Sequence, residues 1–147
     1  MNHAVATRTG DAAVTTKNDP EVKLASASSV LSILVALGII LIGIREFLSP
    51  SAGALGFGVP LLDQRDSDLL AVKAARDVAS GIVVLALLAL RNRKALACAI
   101  GALTLIPIFD GLIVFRHAAW TFTPVMLIHW GTAAFMLVII ALLRSGR

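Results

Sequence analysis

Apolar residues run almost unbroken through four stretches of this chain, Ser29–Leu48, Ala71–Leu90, Ala95–Phe115 and Pro124–Leu143. Each is about as long as the roughly 20 helical residues needed to cross a ~30 Å hydrocarbon layer. Only Arg91–Lys94 separates the second stretch from the third, a connection short enough to force an antiparallel pair. The pattern predicts an all-α fold, an integral membrane four-helix bundle running up-down-up-down, with spans at about 29–48, 71–90, 95–115 and 124–143. Residues 1–28 are polar, small and mixed in charge, and read as a disordered N-terminal tail; residues 144–147 form a short C-terminal tail. The first stretch is too long for a signal-peptide core and carries Arg45-Glu46 before the small residues Ala52-Gly53-Ala54, so we expect it to be retained.

Composition strengthens this picture. Of the 147 residues, 58% are hydrophobic and 15% charged, too little charge for an ordinary soluble domain. The net charge of +4 invites thoughts of nucleic acid, but the basic residues gather at the ends of apolar stretches, in Arg91-Asn92-Arg93-Lys94 and at Arg144 and Arg147. That is the distribution of topological anchors, with no aromatic-interleaved basic patch beside it. The positive-inside rule then puts the 91–94 turn and both termini in the cytoplasm of a multi-pass cell-membrane protein. The single cysteine, Cys98, has no partner for an intrachain disulfide and reads as a small lipid- or helix-facing residue.

The charges that interrupt the apolar stretches carry the chemistry. Glu46 lies 17 residues beyond Ser29 and Asp110 15 beyond Ala95. At helical rise these are roughly 25 and 22 Å from the inner boundary. Asp77 and His129 lie six and five residues inside the outer ends of their stretches, so about 8–9 Å deep. All fall in one outer slab above apolar inner halves. Buried charges are costly and pair or serve a purpose. Arg76, Asp77, Asp110 and His129 form the candidate polar cluster, with Arg45, Glu46 and Arg116 at its rim. Arg45, Glu46, Lys73 and Arg116 are near enough to a helix end to be read as interfacial anchors. The expectation is a polar chamber on the outward side, closed below by an apolar plug.

The first outer loop, Ser49–Leu62, is apolar but broken by Pro50, Gly53, Gly56, Gly58 and Pro60. It is too short and interrupted for a further span and reads as an irregular lid over the chamber, with Gly56, Phe57, Gly58 and Pro60 at its heart. Gly81, Gly101, Gly111 and Gly131 permit close helix approach. Pro107, three residues before Asp110, leaves the Leu103 carbonyl without its helical donor and predicts a kink.

From roughly Ser29 to Arg144 the chain resembles a family of small four-span membrane proteins catalogued as domain of unknown function 4267. The resemblance rests on Pro50 and Gly56-Phe57-Gly58-Val59-Pro60, on Lys73, Arg76-Asp77 and Gly81, on Asp110, and on His129-Trp130. It implies the four-span layout and singles out these polar positions, and it brings no activity with it.

Two functions remain open on sequence. In one, the outward cluster binds or transforms a small lipophilic ligand, with Asp77 and Asp110 orienting it or moving protons, Arg76 contacting an anion or carbonyl, and His129 acting as acid or base. In the other, the same charges hold together a structural or accessory subunit of a membrane complex. A transporter ranks below both, because no charge continues a pathway through the inner half. No nucleophile-elbow, phosphate-loop or dinucleotide motif appears. The sequence calls for no cofactor and no metal, although spacing cannot test a site shared by His129, Asp110 and Asp77. The expected partners are the bilayer, a small lipophilic ligand, and a second copy or another membrane protein; nucleic acid is not among them.

Overall fold

The computed structural model describes residues 25–145, and all regular structure in that range is helical. Six helices follow one another: α1 (Ala27–Leu48), α2 (Pro50–Phe57), α3 (Gln64–Ala89), α4 (Arg93–Leu103), α5 (Leu105–His117) and α6 (Pro124–Ser145). Three segments are long and apolar enough to cross a membrane: α1, the stretch Arg93–His117 and α6. The expected count of four spans is therefore not met by length and composition. The stretch expected at 71–90 lies in α3, which carries Lys73, Arg76 and Asp77 among its apolar residues.

Helix ends account for the boundaries that differ from expectation. The α1 helix starts two residues early because the Ser26 hydroxyl accepts from the Ser29 amide at 3.3 Å. The rest of the tail expected at 1–28, residues 1–24, lies outside the described residues, as do 146–147 of the expected C-terminal tail. Helix α3 begins seven residues before Ala71. Asp63 caps it, accepting from the amides of Arg65 and Asp66 at 2.7 and 3.2 Å, and Asp66 reaches back to the Leu62 amide at 2.7 Å. These acids, which fall between the first two expected spans, thus start a helix, where the N-terminal dipole favours them. At the next turn Asn92 caps α4, its side chain accepting from the Ala95 amide.

The third stretch is interrupted at Thr104, one turn before Pro107. The Thr104 hydroxyl and amide both bond the Ile100 carbonyl, at 2.7 and 2.9 Å. The expected break is there, displaced toward the N-terminus by the turn whose bonding the proline disturbs.

The segment read as an irregular lid contains a helix. Proline at the first position of α2 loses no bond, because that amide has no helical acceptor in any case. Gly58 ends the helix in the left-handed region at φ 98°, with its amide on the Ala54 carbonyl. Gly53 is a contact point: a Cβ there would lie 2.9 Å from the Glu46 Cα, so only glycine lets α2 fold back onto α1.

Helix α1 packs along α3, α3 on α4, α4 and α5 on α6, and α6 back on α1. Gly43 faces Ala74 and Val78, while Gly81 faces Ala36 and Ile40. Of the glycines expected to admit close approach, Gly81 and Gly111 do so, Gly111 under the Trp130 ring. Gly131 meets nothing within 4 Å and Gly101 only a methyl at 3.8 Å. A buried apolar core of Val35, Ala36, Val84, Leu88, Leu96, Ile100, Met136, Ile139, Ile140 and Leu143 fills one end of this arrangement. It draws on the first half of α1, the second halves of α3 and α6, and α4. The opposite halves hold the polar residues. Arg93 donates to the Leu143 carbonyl, tying the start of α4 to the end of α6.

Candidate functional site

A row of ion pairs crosses the upper half of the molecule. Lys73 on α3 lies 2.8 and 2.9 Å from the two Glu46 oxygens on α1 and 2.7 Å from Asp77 Oδ2 one turn along its own helix. Arg76 continues the row, with Nη2 3.0 Å from Asp77 Oδ1 and 3.3 Å from Asp110 Oδ2 on α5. Glu46, Asp77 and Asp110 are all buried, and Arg76 is exposed. The i, i+4 spacing of Lys73 and Asp77 puts both on one face of α3, and that face meets α1.

Helix α2 closes over this row. The His129 Nε2–H donates to the Phe57 carbonyl at 3.0 Å, and the two rings meet edge to face with centroids 5.1 Å apart. A carbonyl only accepts, so this bond fixes the proton on Nε2 in the neutral ring. The Lys73 ammonium sits 5.0 Å from the Phe57 ring centroid, a cation–π contact. Arg45 donates to the Ala52 carbonyl at 3.4 Å. Three side chains, His129, Lys73 and Arg45, thus hold α2 down.

Beneath lies a cavity of about 260 Å³. Glu46, Lys73, Asp77, Asp110 and His129 form its polar end, with Arg45, Gly53, Gly56 and Phe57 at the roof. Its lower walls are Ile39, Ile42, Leu103, Ile106, Pro107 and Met136, with the hydroxyls of Ser80 and Thr132 between. Below Met136 the apolar core shuts the space off.

Of the residues singled out by sequence, Asp77, Asp110, His129, Glu46 and Arg45 line this cavity, and Arg76 joins it through its pairs with Asp77 and Asp110. In the roof, Gly56 and Phe57 line it, while Gly58 serves as the α2 cap and Pro60 lies beyond. Arg116 does not join the cluster. It is exposed near the end of α5, beyond the lining. Lys73, read as an anchor, is instead the hub of the row. Its signal was available: an ammonium four residues before an aspartate on one helix face. What the sequence did not carry was that Glu46, on another helix, faces the same point. Among the described residues, no group of three or more His, Cys, Asp or Glu side chains is arranged to hold a metal ion.

Beside the site, Trp130 seals against Gly111 and meets Phe115 and Phe122, with ring centroids 6.2 Å apart in each case. Trp120 stacks edge-on against Phe115, in a turn where Ala119 and Trp120 both adopt positive φ. These rings form an aromatic cluster where α5 turns into α6.

No curated protein and no solved structure matches this chain. A protein-family match does cover residues 36–143, spanning the second half of α1 through nearly all of α6 and hence every residue of the ion-pair row. The chain belongs to the family described as Domain of unknown function (DUF4267).

Proposed function

We propose that this is a multi-pass protein of the cell membrane whose outward-facing cavity binds a small lipophilic ligand. In this reading α3 is a fourth crossing, beside α1, α4–α5 and α6, in an antiparallel four-helix bundle. Its 26 residues would reach about 39 Å. Its intramembrane charges are each matched by a partner on α1, α3 or α5, which removes much of the cost of placing them at depth. The register supports alternating directions, since residue numbers fall on α3 as they rise on α1 along the Gly43 and Gly81 contacts. The positive charges of Arg91, Arg93 and Lys94 support a cytoplasmic turn and, with it, cytoplasmic termini.

The observation that carries the ligand reading is the cavity itself. A space of about 260 Å³ with an ionic end and an apolar end is a poor way to stabilise a bundle, since filling it would gain contacts. It is a good way to orient an amphipathic molecule, with few polar groups fixing direction and apolar walls supplying affinity. The test is native mass spectrometry of the protein released from its own membranes. A small molecule should accompany the wild type and be absent from Ile106→Trp, which fills the lower cavity. Identical spectra, with the variant melting like the wild type, would contradict the reading.

A second reading, a structural or accessory subunit, is favoured by the completeness of the pairing around Lys73. It predicts that Asp110→Asn lowers folded yield and that a second change restoring the pairing rescues it, with a double-mutant cycle between Asp110 and Arg76 measuring the coupling. The ligand reading predicts that Asp110→Asn keeps yield and melting temperature and loses the bound molecule.

A further inference from the structure

The hydrogen-bonding capacity of the cavity is lopsided, and this selects among ligands. The lining's donors are almost all committed. The three Lys73 N–H groups match the three short contacts to Glu46 Oε1, Glu46 Oε2 and Asp77 Oδ2. The Ser80 hydroxyl donates to the Arg76 carbonyl at 2.8 Å, and the Thr132 hydroxyl to the Ile128 carbonyl at 2.7 Å. The His129 Nε2–H goes to Phe57. Among the described residues, Arg45 at the roof and Arg76 at its Nη1 keep N–H groups without a partner, and both side chains are exposed.

The acceptors are not committed. Asp110 is 7% exposed and lines the cavity, yet among the described residues only its Oδ2 is bonded, by Arg76. Among the described residues its Oδ1 has no partner. With Nε2 donating, His129 Nδ1 carries a lone pair and also lacks a partner among the described residues. Three carboxylates (Glu46, Asp77 and Asp110) meet two cations (Lys73 and Arg76) in the row.

The geometry points to a protonated lipophilic amine as the ligand class, its ammonium on Asp110 Oδ1 and His129 Nδ1 and its apolar body against Ile106, Pro107 and Met136. This rests on the reading of the cavity as a ligand site. An ammonium offers several N–H donors to these two acceptors, whereas a carboxylate or phosphate placed between them would face acceptors, the spare guanidinium N–H groups of Arg45 and Arg76 lying on exposed side chains. Apolar cavities of ~150 Å³ take benzene, so 260 Å³ suits a body of about ten non-hydrogen atoms.

The test uses the full-length protein in lipid nanodiscs and three probes of one shape: 4-phenylbutylamine, 4-phenylbutan-1-ol and 4-phenylbutyrate. Binding is read by equilibrium dialysis against empty nanodiscs, which corrects for partition into lipid. The amine should bind about ten-fold or more tighter than the alcohol, the difference between a charge-assisted and a neutral hydrogen bond, and the carboxylate should bind weakest. Asp110→Asn should bring the amine down to the alcohol's level. Equal binding of amine and alcohol by the wild type, abolished by Ile106→Trp, would overturn the amine assignment and leave the cavity reading standing. Preference for the carboxylate would overturn it as well. Failure of all three probes to bind would overturn the amine assignment, and a native molecule still displaced by Ile106→Trp would show that the cavity reading survives that failure. The selectivity of the wild type needs no variant, so poor folding of Asp110→Asn does not protect the proposal.

Discussion

Removing the Lys73 ammonium is the sharpest perturbation of the ion-pair row. In Lys73→Met the stem is kept and the charge is lost. Among the described residues both Glu46 oxygens take their only side-chain hydrogen bonds from Lys73, and the Glu46 side chain is 5% exposed. Asp77 would keep Arg76, but Glu46 would be left as a buried charge with no counter-ion. Breaking a buried pair in this way costs about 3–5 kcal/mol. Lys73 itself is 15% exposed, so solvent screening does little to soften this. Arg45→Gln is the control: the residue is exposed and makes no ion pair among the described residues, so its loss should stay within about 0.5 kcal/mol. Glu46→Gln combined with Lys73→Met should be less damaging than Lys73→Met alone, with a coupling of about 0.5–3 kcal/mol. The assay is equilibrium unfolding in mixed lipid–detergent micelles, followed by Trp120 and Trp130 fluorescence and by far-ultraviolet circular dichroism. A Lys73→Met loss below about 1 kcal/mol, or costs that simply add in the double variant, would refute the claim that Lys73 holds the row together.

Other substitutions probe the remaining contacts. Gly81→Ala places a Cβ 2.6 Å from the Ala36 carbonyl oxygen, which cannot move aside, and should cost about 1–3 kcal/mol of stability in the same unfolding assay. Gly131→Ala meets nothing within 4 Å and should be neutral or stabilising by up to about 1 kcal/mol. His129→Ala removes the bond to Phe57, so amide hydrogens of residues 50–62 should exchange faster while those of the α1 interior are unchanged. Gly58→Ala forces a side chain into φ 98° and should loosen the same segment, again read by hydrogen exchange.

Much of this arrangement could be read without coordinates because hydrocarbon penalises charge so strongly. Counting rise per residue from each apolar boundary placed Glu46, Asp77, Asp110 and His129 at similar depth, and the structure brings all of them to one cavity. Depth is a one-dimensional quantity that sequence carries well. Azimuth is not, and that is where expectation failed. Lys73 was assigned to the interface because a long cation near a helix end can snorkel; only the packing of α1 on α3 turns it toward Glu46. Arg116 failed in the opposite direction, at a suitable depth but exposed.

The α2 segment failed for a different reason. Its glycines and prolines read as breakers, whereas Pro50 opens the helix, Gly53 admits the α1 backbone and Gly58 supplies the cap. The residues that stop one helix can start, seat and end another. Likewise Asp63 and Asp66, which fall between the first two expected spans, cap the N-terminus of α3.

The most direct test of the account is an experimental structure of the full chain in lipid with no ligand added. It should show elongated non-protein density running from Asp110 and His129 down to Met136, beneath an α2 helix seated on His129. A collapsed cavity, or Glu46, Lys73 and Asp110 parted from one another and facing lipid, would contradict it.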